Sequence, residues 1–375
     1  MSHLIKLPLA GLALTLLAAC GGAAAPSPSP SIASATGSSP AAASAPAAKP
    51  ATSASPSAKP APTQVKVLFG TLAGAHAFVR LAADKGLFQK YGLVGDVSYG
   101  ESTTGVAALL AGQVQFDLTG GVEIIEAVAA GAPLKILALN QDTNPYALFS
   151  LPNIKTVNDL KGKTVAVGKK SDTSDVSLRM AIKGSGLEPD KDFSLREIGN
   201  SPARLAALTS KQIDAGVMDA DAYSQQAKAQ GLNMLVSLAE KNIPYAAGAL
   251  AVNASFARDN PQAVTGTLQA LIEGGRLFGD PNSKTDALAI MAQDFKTTPD
   301  DPVVTRAYDI YSARYRDGAA IVYPHADAID TIVEALKTID ASRYGSLNSN
   351  AVIDTSFMDG LRSSGFLRPA EARQA

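Results

Sequence analysis

Ser201-Pro202-Ala203-Arg204-Leu205-Ala206-Ala207-Leu208-Thr209-Ser210-Lys211-Gln212-Ile213 decides the fold, because its pattern has been written once before. Ala206-Ala207-Leu208 repeats Ala107-Ala108-Leu109 and Gln212-Ile213 repeats Gln113-Val114, each 99 residues on. The same offset relates Arg179 to Arg80 and Glu197-Ile198-Gly199 to Ser98-Tyr99-Gly100, while Thr164-Val165-Ala166-Val167-Gly168 echoes the strand-like Val65-Lys66-Val67-Leu68-Phe69. One pair is weak evidence. A constant offset across strand, helix and strand implies two similar α/β lobes.

Outward from the repeat, short apolar runs alternate with helical periodicity, which reads as strand-helix repetition around mainly parallel sheets. Strands are expected over 65–69, 97–99, 114–118 and 134–139. Helices are expected over 77–85, 103–111 and 122–130, closed by Gly86, Gly112 and Gly131, where a left-handed helix stop is favoured. The second copy ends near Ala239; a strand over 248–252 follows, then helices over 261–278, 285–293, 302–316 and 325–338. Helices without new strands need an apolar face already built, so the tail is expected to re-enter the first lobe. The expected domains are 65–151 with 249–375 (lobe 1) and 152–248 (lobe 2), joined by a two-strand hinge near Ser150-Leu151-Pro152 and Ala247-Gly248-Ala249.

The N-terminal segment reads as an address. Leu7 to Ala19 is an uncharged apolar run, too short for a bilayer core, which needs about 20 residues, and fits a signal peptide over 1–19. Leu17-Ala18-Ala19-Cys20 resembles a bacterial lipobox, and Cys20 is the only cysteine of the chain. Acyl chains on Cys20 would anchor the protein to a lipid bilayer outside the cytoplasm. Gly21 to Gln64 is Ala, Ser, Pro, Gly or Thr except for Ile32, Lys49, Lys59 and Gln64, so 20–64 is expected to be a lipidated cysteine and a disordered tether.

Composition excludes several functions. A formal charge of -1, from 33 basic and 34 acidic side chains, offers no surplus for nucleic acid. A single cysteine cannot form an internal disulfide, and with His3 in the leader only His76 and His325 remain, too few for a Cys/His zinc site, so no metal and no cofactor are expected. The phosphate-loop lookalike Gly95 to Ser102 has Glu101 where lysine is required, and no Gly-x-Ser-x-Gly elbow occurs.

Residues 65 to about 340 resemble the type II periplasmic solute-binding proteins of ABC importers, in the branch of sulfonate, taurine, nitrate and thiamine-precursor binders. The resemblance rests on Lys85-Gly86-Leu87-Phe88 with Tyr91-Gly92-Leu93, on Ala108-Leu109-Leu110-Ala111-Gly112-Gln113 followed by Asp117, and on Ala129-Ala130-Gly131-Ala132-Pro133. It continues through Asp159-Leu160-Lys161-Gly162-Lys163-Thr164-Val165-Ala166-Val167-Gly168 and Gln212-Ile213-Asp214-Ala215. It implies a two-lobed α/β clamp, monomeric and not an enzyme, that captures a small polar solute and hands it to the transmembrane subunits of an ABC permease. A lipid-anchored enzyme of small-molecule metabolism and a structural envelope lipoprotein are the alternatives.

In open α/β sheets, ligands bind beyond the carboxyl ends of the strands, where loops and helix N-termini offer free N–H groups. In lobe 1 these loops hold Thr71, Leu72, His76, Glu101, Ser102, Thr103, Gly121, Glu123 and Asn140. In lobe 2 they hold Ser171, Asp172, Thr173, Ser174, Asp219 and Asp221. Ser102, Thr104, Ser174, Ser201 and Asp221 also suit helix N-caps. His76 reads either as a solvated polar residue or as a binder, and Tyr146 and Tyr245 as cleft aromatics or hinge packing. Carboxylates outnumber cations in these loops and no arginine occurs in them, which disfavours a sulfonate or nitrate relative to a neutral or amine-bearing heterocycle.

Overall fold

The computed structural model describes residues 62–70, 74–100 and 102–372, without the side chains of Ser102 and Thr103. Cys20, the expected tether up to residue 61, Thr71, Leu72 and Glu101 lie outside the described residues; Thr63 and Gln64, expected at the end of the tether, instead open the first strand, because they hydrogen-bond into the sheet.

The first copy runs β1 (Thr63–Phe69), α1 (Ala77–Asp84), α2 (Leu87–Lys90), β2 (Leu93–Tyr99), α3 (Ser102–Leu110), β3 (Phe116–Thr119), α4 (Gly121–Ala129) and β4 (Leu134–Thr143). The second runs β5 (Tyr146–Ser150), β6 (Thr164–Val167), α5 (Thr173–Ile182), β7 (Ser194–Glu197), α6 (Ser201–Thr209), β8 (Ala215–Asp219), α7 (Ala220–Ala229) and β9 (Asn233–Ser237). β10 (Pro244–Asn253) follows. The remainder is helical: α8 (Ala254–Asp259), α9 (Pro261–Gly279), α10 (Lys284–Phe295), α11 (Pro302–Asp317), α12 (Ala326–Lys337), α13 (Ala341–Tyr344), α14 (Ser349–Val352) and α15 (Ser356–Ser363).

Two five-stranded sheets form, ordered β2-β1-β3-β10-β4 and β7-β6-β8-β5-β9. β1 pairs in parallel with β2 and β3, as β6 does with β7 and β8. β10 and β5 run antiparallel to both their neighbours, so each sheet has one reversed strand among four aligned ones. The repeat is therefore structural: α3 and α6, and likewise α4 and α7, start 99 residues apart in equivalent places.

The chain changes sheet at Asn144-Pro145 and again between β9 and β10, earlier on both passes than the expected positions near Ser150-Leu151-Pro152 and Ala247-Gly248-Ala249. Pro152 suggests a break, but Tyr146 to Ser150 pairs along its whole length with β8. In the same way Pro244 to Asn253 already belongs to the first sheet. Each crossing thus feeds directly into the reversed strand of the opposite sheet.

The tail re-enters the first lobe. Phe78 and Leu81 of α1 join Leu271 and Phe278 of α9 and Tyr315 of α11 on one face of the first sheet, all buried. On the other face Val122 and Ile125 of α4 meet Ile329, Ile332 and Val333 of α12. Each such side chain contributes about 1.5–3 kcal/mol on burial, which fixes the carboxyl ends of β1 and β3 against a rigid support.

Candidate functional site

The helix N-termini that point between the lobes are capped one or two residues earlier than the sequence suggests. Asp172, and not Ser174, caps α5, accepting from the N–H groups of Ser174 at 2.8 Å and Asp175 at 2.9 Å. Asn200 caps α6 through Ala203 N at 3.0 Å, and Asp219 caps α7 through Ala222 N at 2.8 Å, so Ser201 and Asp221 fall inside the first turns. Ser174 Oγ instead accepts from Gly168 N at 2.6 Å, and Ser171 takes a left-handed backbone (φ 61°) with its N–H on Asp175 Oδ2 at 2.8 Å. α5 therefore starts from a loop fixed by its own carboxylates.

The two lobes meet at this helix start. Thr173 Oγ1 donates to Glu123 Oε2 at 3.2 Å, and Tyr245 Oη donates to the Thr173 carbonyl at 3.4 Å. A side chain at Gly120 would place its Cβ 2.8 Å from Thr173 Oγ1, so the Gly120-Gly121 turn is what admits the contact. Burial, together with the nearby negative charge of Asp172, pushes the Glu123 carboxyl up to about 7. Gly121, Glu123, Asp172, Thr173 and Ser174 are thus brought together. Tyr245 is fully buried and serves packing at the hinge.

Deeper in the first lobe, His76 is buried rather than solvated, with 5% of its surface exposed, and its Nδ1 has no partner. Burial pushes its pKa down to about 3, so the imidazole is neutral. Asn140 Nδ2 donates weakly to the Ala75 carbonyl at 3.5 Å and its Oδ1 has no partner. Asp117, noted in the sequence only as part of a family pattern, is fully buried beneath Gly105 with both carboxylate oxygens unpartnered. Burial and then the charge of Glu123 raise it to about 7.

The repeat exposes an inversion. Arg204 stands at the position equivalent to Gly105, and Gly216 at the position equivalent to Asp117. In lobe 1 the strand sends a carboxylate under a helix glycine. In lobe 2 the helix instead carries a guanidinium, and buried Arg204 donates to the carbonyls of Val217 at 2.6 Å and Ile198 at 3.0 Å and to Ser201 Oγ at 3.1 Å. Asp219 lies opposite Tyr146 in the β5–β8 register, and burial raises its carboxyl to about 6.

Asp221 sits apart from the Glu123 group and pairs with Arg314 of α11 at 2.9 Å, across the lobes. Arg204 and Arg314 are the cations that inspection of the loops alone misses, because both project from helix bodies. Beside Arg314, a cavity of about 510 Å³ flanks the two crossings, lined by residues of both lobes, including Asn140, Asp142, Asp221 and His325. The arrangement can enclose a small polar molecule between helix N-termini, with hydrogen-bonding groups from each lobe.

Comparison with known proteins bears on the fold and the family. The chain is similar to the riboflavin-binding protein RibY of Chloroflexus aurantiacus, with 27% identity over 163 residues, 43% of this chain and 46% of that protein, so the match spans less than half the relative's length. In structure it is similar to the periplasmic aliphatic sulphonate binding protein SsuA of Escherichia coli, with a TM-score of 0.62 and 20% identity over 78% of this chain and 92% of that one. It is similar also to the periplasmic nitrate-binding protein NrtA of Synechocystis PCC 6803, with a TM-score of 0.61 and 15% identity over 83% of this chain and 92% of that one. The fold is that of the type II periplasmic binding proteins. The pattern of the family described as NMT1/THI5 like matches residues 73–280, more than half of the sequence, and the protein belongs to that family.

Proposed function

We propose that the protein is the membrane-tethered, extracytoplasmic solute receptor of an ABC import system, acting as a monomer without catalysis. It captures a small polar organic solute between its lobes and delivers it to the permease. The observation that carries this reading is the meeting of Thr173 with Glu123, two polar side chains at helix N-termini on opposite sides of a two-strand crossing. Such a crossing allows closure by a few dihedral changes, and contacts to both lobes favour the closed form.

Unpartnered neutral groups (His76 and Asn140) and carboxyls raised towards neutrality (Glu123 and Asp117) favour a neutral heterocycle or an amine over a sulfonate or nitrate. The likeness to a riboflavin binder supports a heterocycle in particular. The reading places Thr71, Leu72, Glu101, Ser102 and Thr103 along the same cleft. It places lipid on Cys20, with the chain up to β1 as the tether.

A thermal-shift screen of the Cys20→Ser chain against riboflavin, pyrimidines, amines, sulfonates and nitrate tests the reading. A cognate solute at 100 times its dissociation constant adds about 2.7 kcal/mol of stability. A screen in which no solute raises the melting temperature counts against it. The anchor is tested separately: the wild-type chain should stay with membranes through carbonate washing, and the Cys20→Ser chain should not.

A further inference from the structure

The 510 Å³ cavity at the lobe crossings falls in the size range of small-molecule sites. Its fixed charges are already matched. Arg314 pairs with Asp221 at 2.9 Å, and His325 lies between Asp142, at 3.7 Å, and Asp327. Each pair is partly exposed and therefore weak, so it does not by itself exclude a charged ligand; the matched charges give the wall no surplus of either sign.

The groups left over are uncharged. Among the described residues, Gln141 and Asn242 make no side-chain hydrogen bond although both line the cavity. Asn140 Oδ1, in a side chain whose residue is 6% exposed, is likewise without a partner. Amides donate and accept side by side, which complements hydroxyl groups that do the same. No Phe or Tyr ring stands in the described walls; the planar groups there, Arg314 and His325, are already engaged by Asp221 and by Asp142 and Asp327.

We infer that this cavity receives the uncharged, polyhydroxylated part of the solute, held by the amides of Asn140, Gln141 and Asn242. The inference rests on the receptor reading above and specifies the chemistry of one end of its ligand. Asn242 lies in the connection from β9 to β10 and Gln141 on β4, so a hydroxylated chain there touches both crossing segments.

Calorimetric titration of the Cys20→Ser chain with riboflavin, and with lumichrome, which keeps the ring system and lacks the polyol chain, tests it. Riboflavin should bind about 10-fold or more tightly than lumichrome. The Gln141→Ala, Asn242→Gly double variant, which loses no internal hydrogen bond and keeps at 242 a residue that tolerates its left-handed backbone (φ 47°), should melt close to the parent and should erase that difference. Equal affinities for the two flavins, or a double variant that keeps the preference, would overturn the inference.

If neither flavin binds, the double variant is titrated with the solute that most stabilises the protein in the screen. A solute without hydroxyl groups, or an unchanged affinity, overturns the inference and leaves the receptor reading intact. A hydroxylated solute that loses affinity about 10-fold supports it. Silence across the whole screen overturns the receptor reading itself, and this inference with it.

Discussion

Arg314 Nη2 on α11 stands 2.9 Å from Asp221 Oδ2 on α7, and this is the one ion pair among the described residues that joins lobe to lobe. Both side chains are about a third exposed, at 39% and 33%, so the pair contributes at most about 1 kcal/mol to folding. Its larger effect is on the relative position of the lobes. Arg314→Gln should leave urea-unfolding stability within about 1 kcal/mol of the parent and broaden the interlobe distance distribution in the absence of solute. An unchanged distribution would show that the pair does not hold the lobes.

Asp117 gives the protein a pH dependence with a definite sign. Its folded-state carboxyl is raised to about 7, and those of Glu123 and Asp219 to about 7 and about 6. The folded state therefore binds more protons than the unfolded one between the ordinary carboxyl range and these values. The associated stability is complete below about pH 4 and is lost as pH climbs through 6 and 7. The body should be more stable at pH 5 than at pH 8. Asp117→Asn should stabilise it by a few kcal/mol at pH 8 and by much less at pH 5; urea unfolding at both pH values decides. Equal destabilisation at the two would mean that the carboxylate has a partner.

The two described histidines should titrate in opposite directions. Asp142, and then Asp327, raise His325 above its ordinary 6.5, so its stabilising charge is present below that value and fades as pH rises past it. Burial holds His76 down to about 3. Two-dimensional NMR of the imidazole signals should find one curve with a midpoint above 6.5 and one ring that stays neutral down to about pH 4. A His76 midpoint near 6.5 would contradict its burial.

At the cleft, Thr173→Val keeps the shape of the side chain and removes the hydroxyl that meets Glu123. It should cost under about 1.5 kcal/mol in stability and weaken solute binding about 10-fold. Asp172→Ala removes the cap of α5 and should cost about 1–2 kcal/mol, with solute binding falling in parallel. If both variants bind the stabilising solute as the parent does, the α5 start is structural only.

The repeat made the two lobes legible, because an offset of 99 residues survives in Ala206-Ala207-Leu208 and Gln212-Ile213 without help from structure. The crossings were less legible. An apolar run such as Tyr146 to Ser150 reads the same whichever sheet it joins, and only pairing with β8 assigns it. The site was half legible: loop position pointed to Glu123, Asp172 and Thr173. Arg204 lay inside the very stretch that revealed the repeat, yet its role depends on the Val217 and Ile198 carbonyls that the fold brings to it, a tertiary fact. His76 stayed open between two readings for a related reason, since nothing in its neighbours along the chain announces its burial edge-on to Phe69.

The central claim is that a solute closes the two lobes on itself. Gln89 on α2 and Lys228 on α7 are exposed, one on each lobe, and suit spin labels in a Cys20→Ser chain carrying Gln89→Cys and Lys228→Cys. Pulsed electron resonance should give a broad distance distribution without solute and a single narrow, shorter one when the solute that most raises the melting temperature is saturating. Identical distributions with and without that solute would contradict the clamp and leave a rigid receptor.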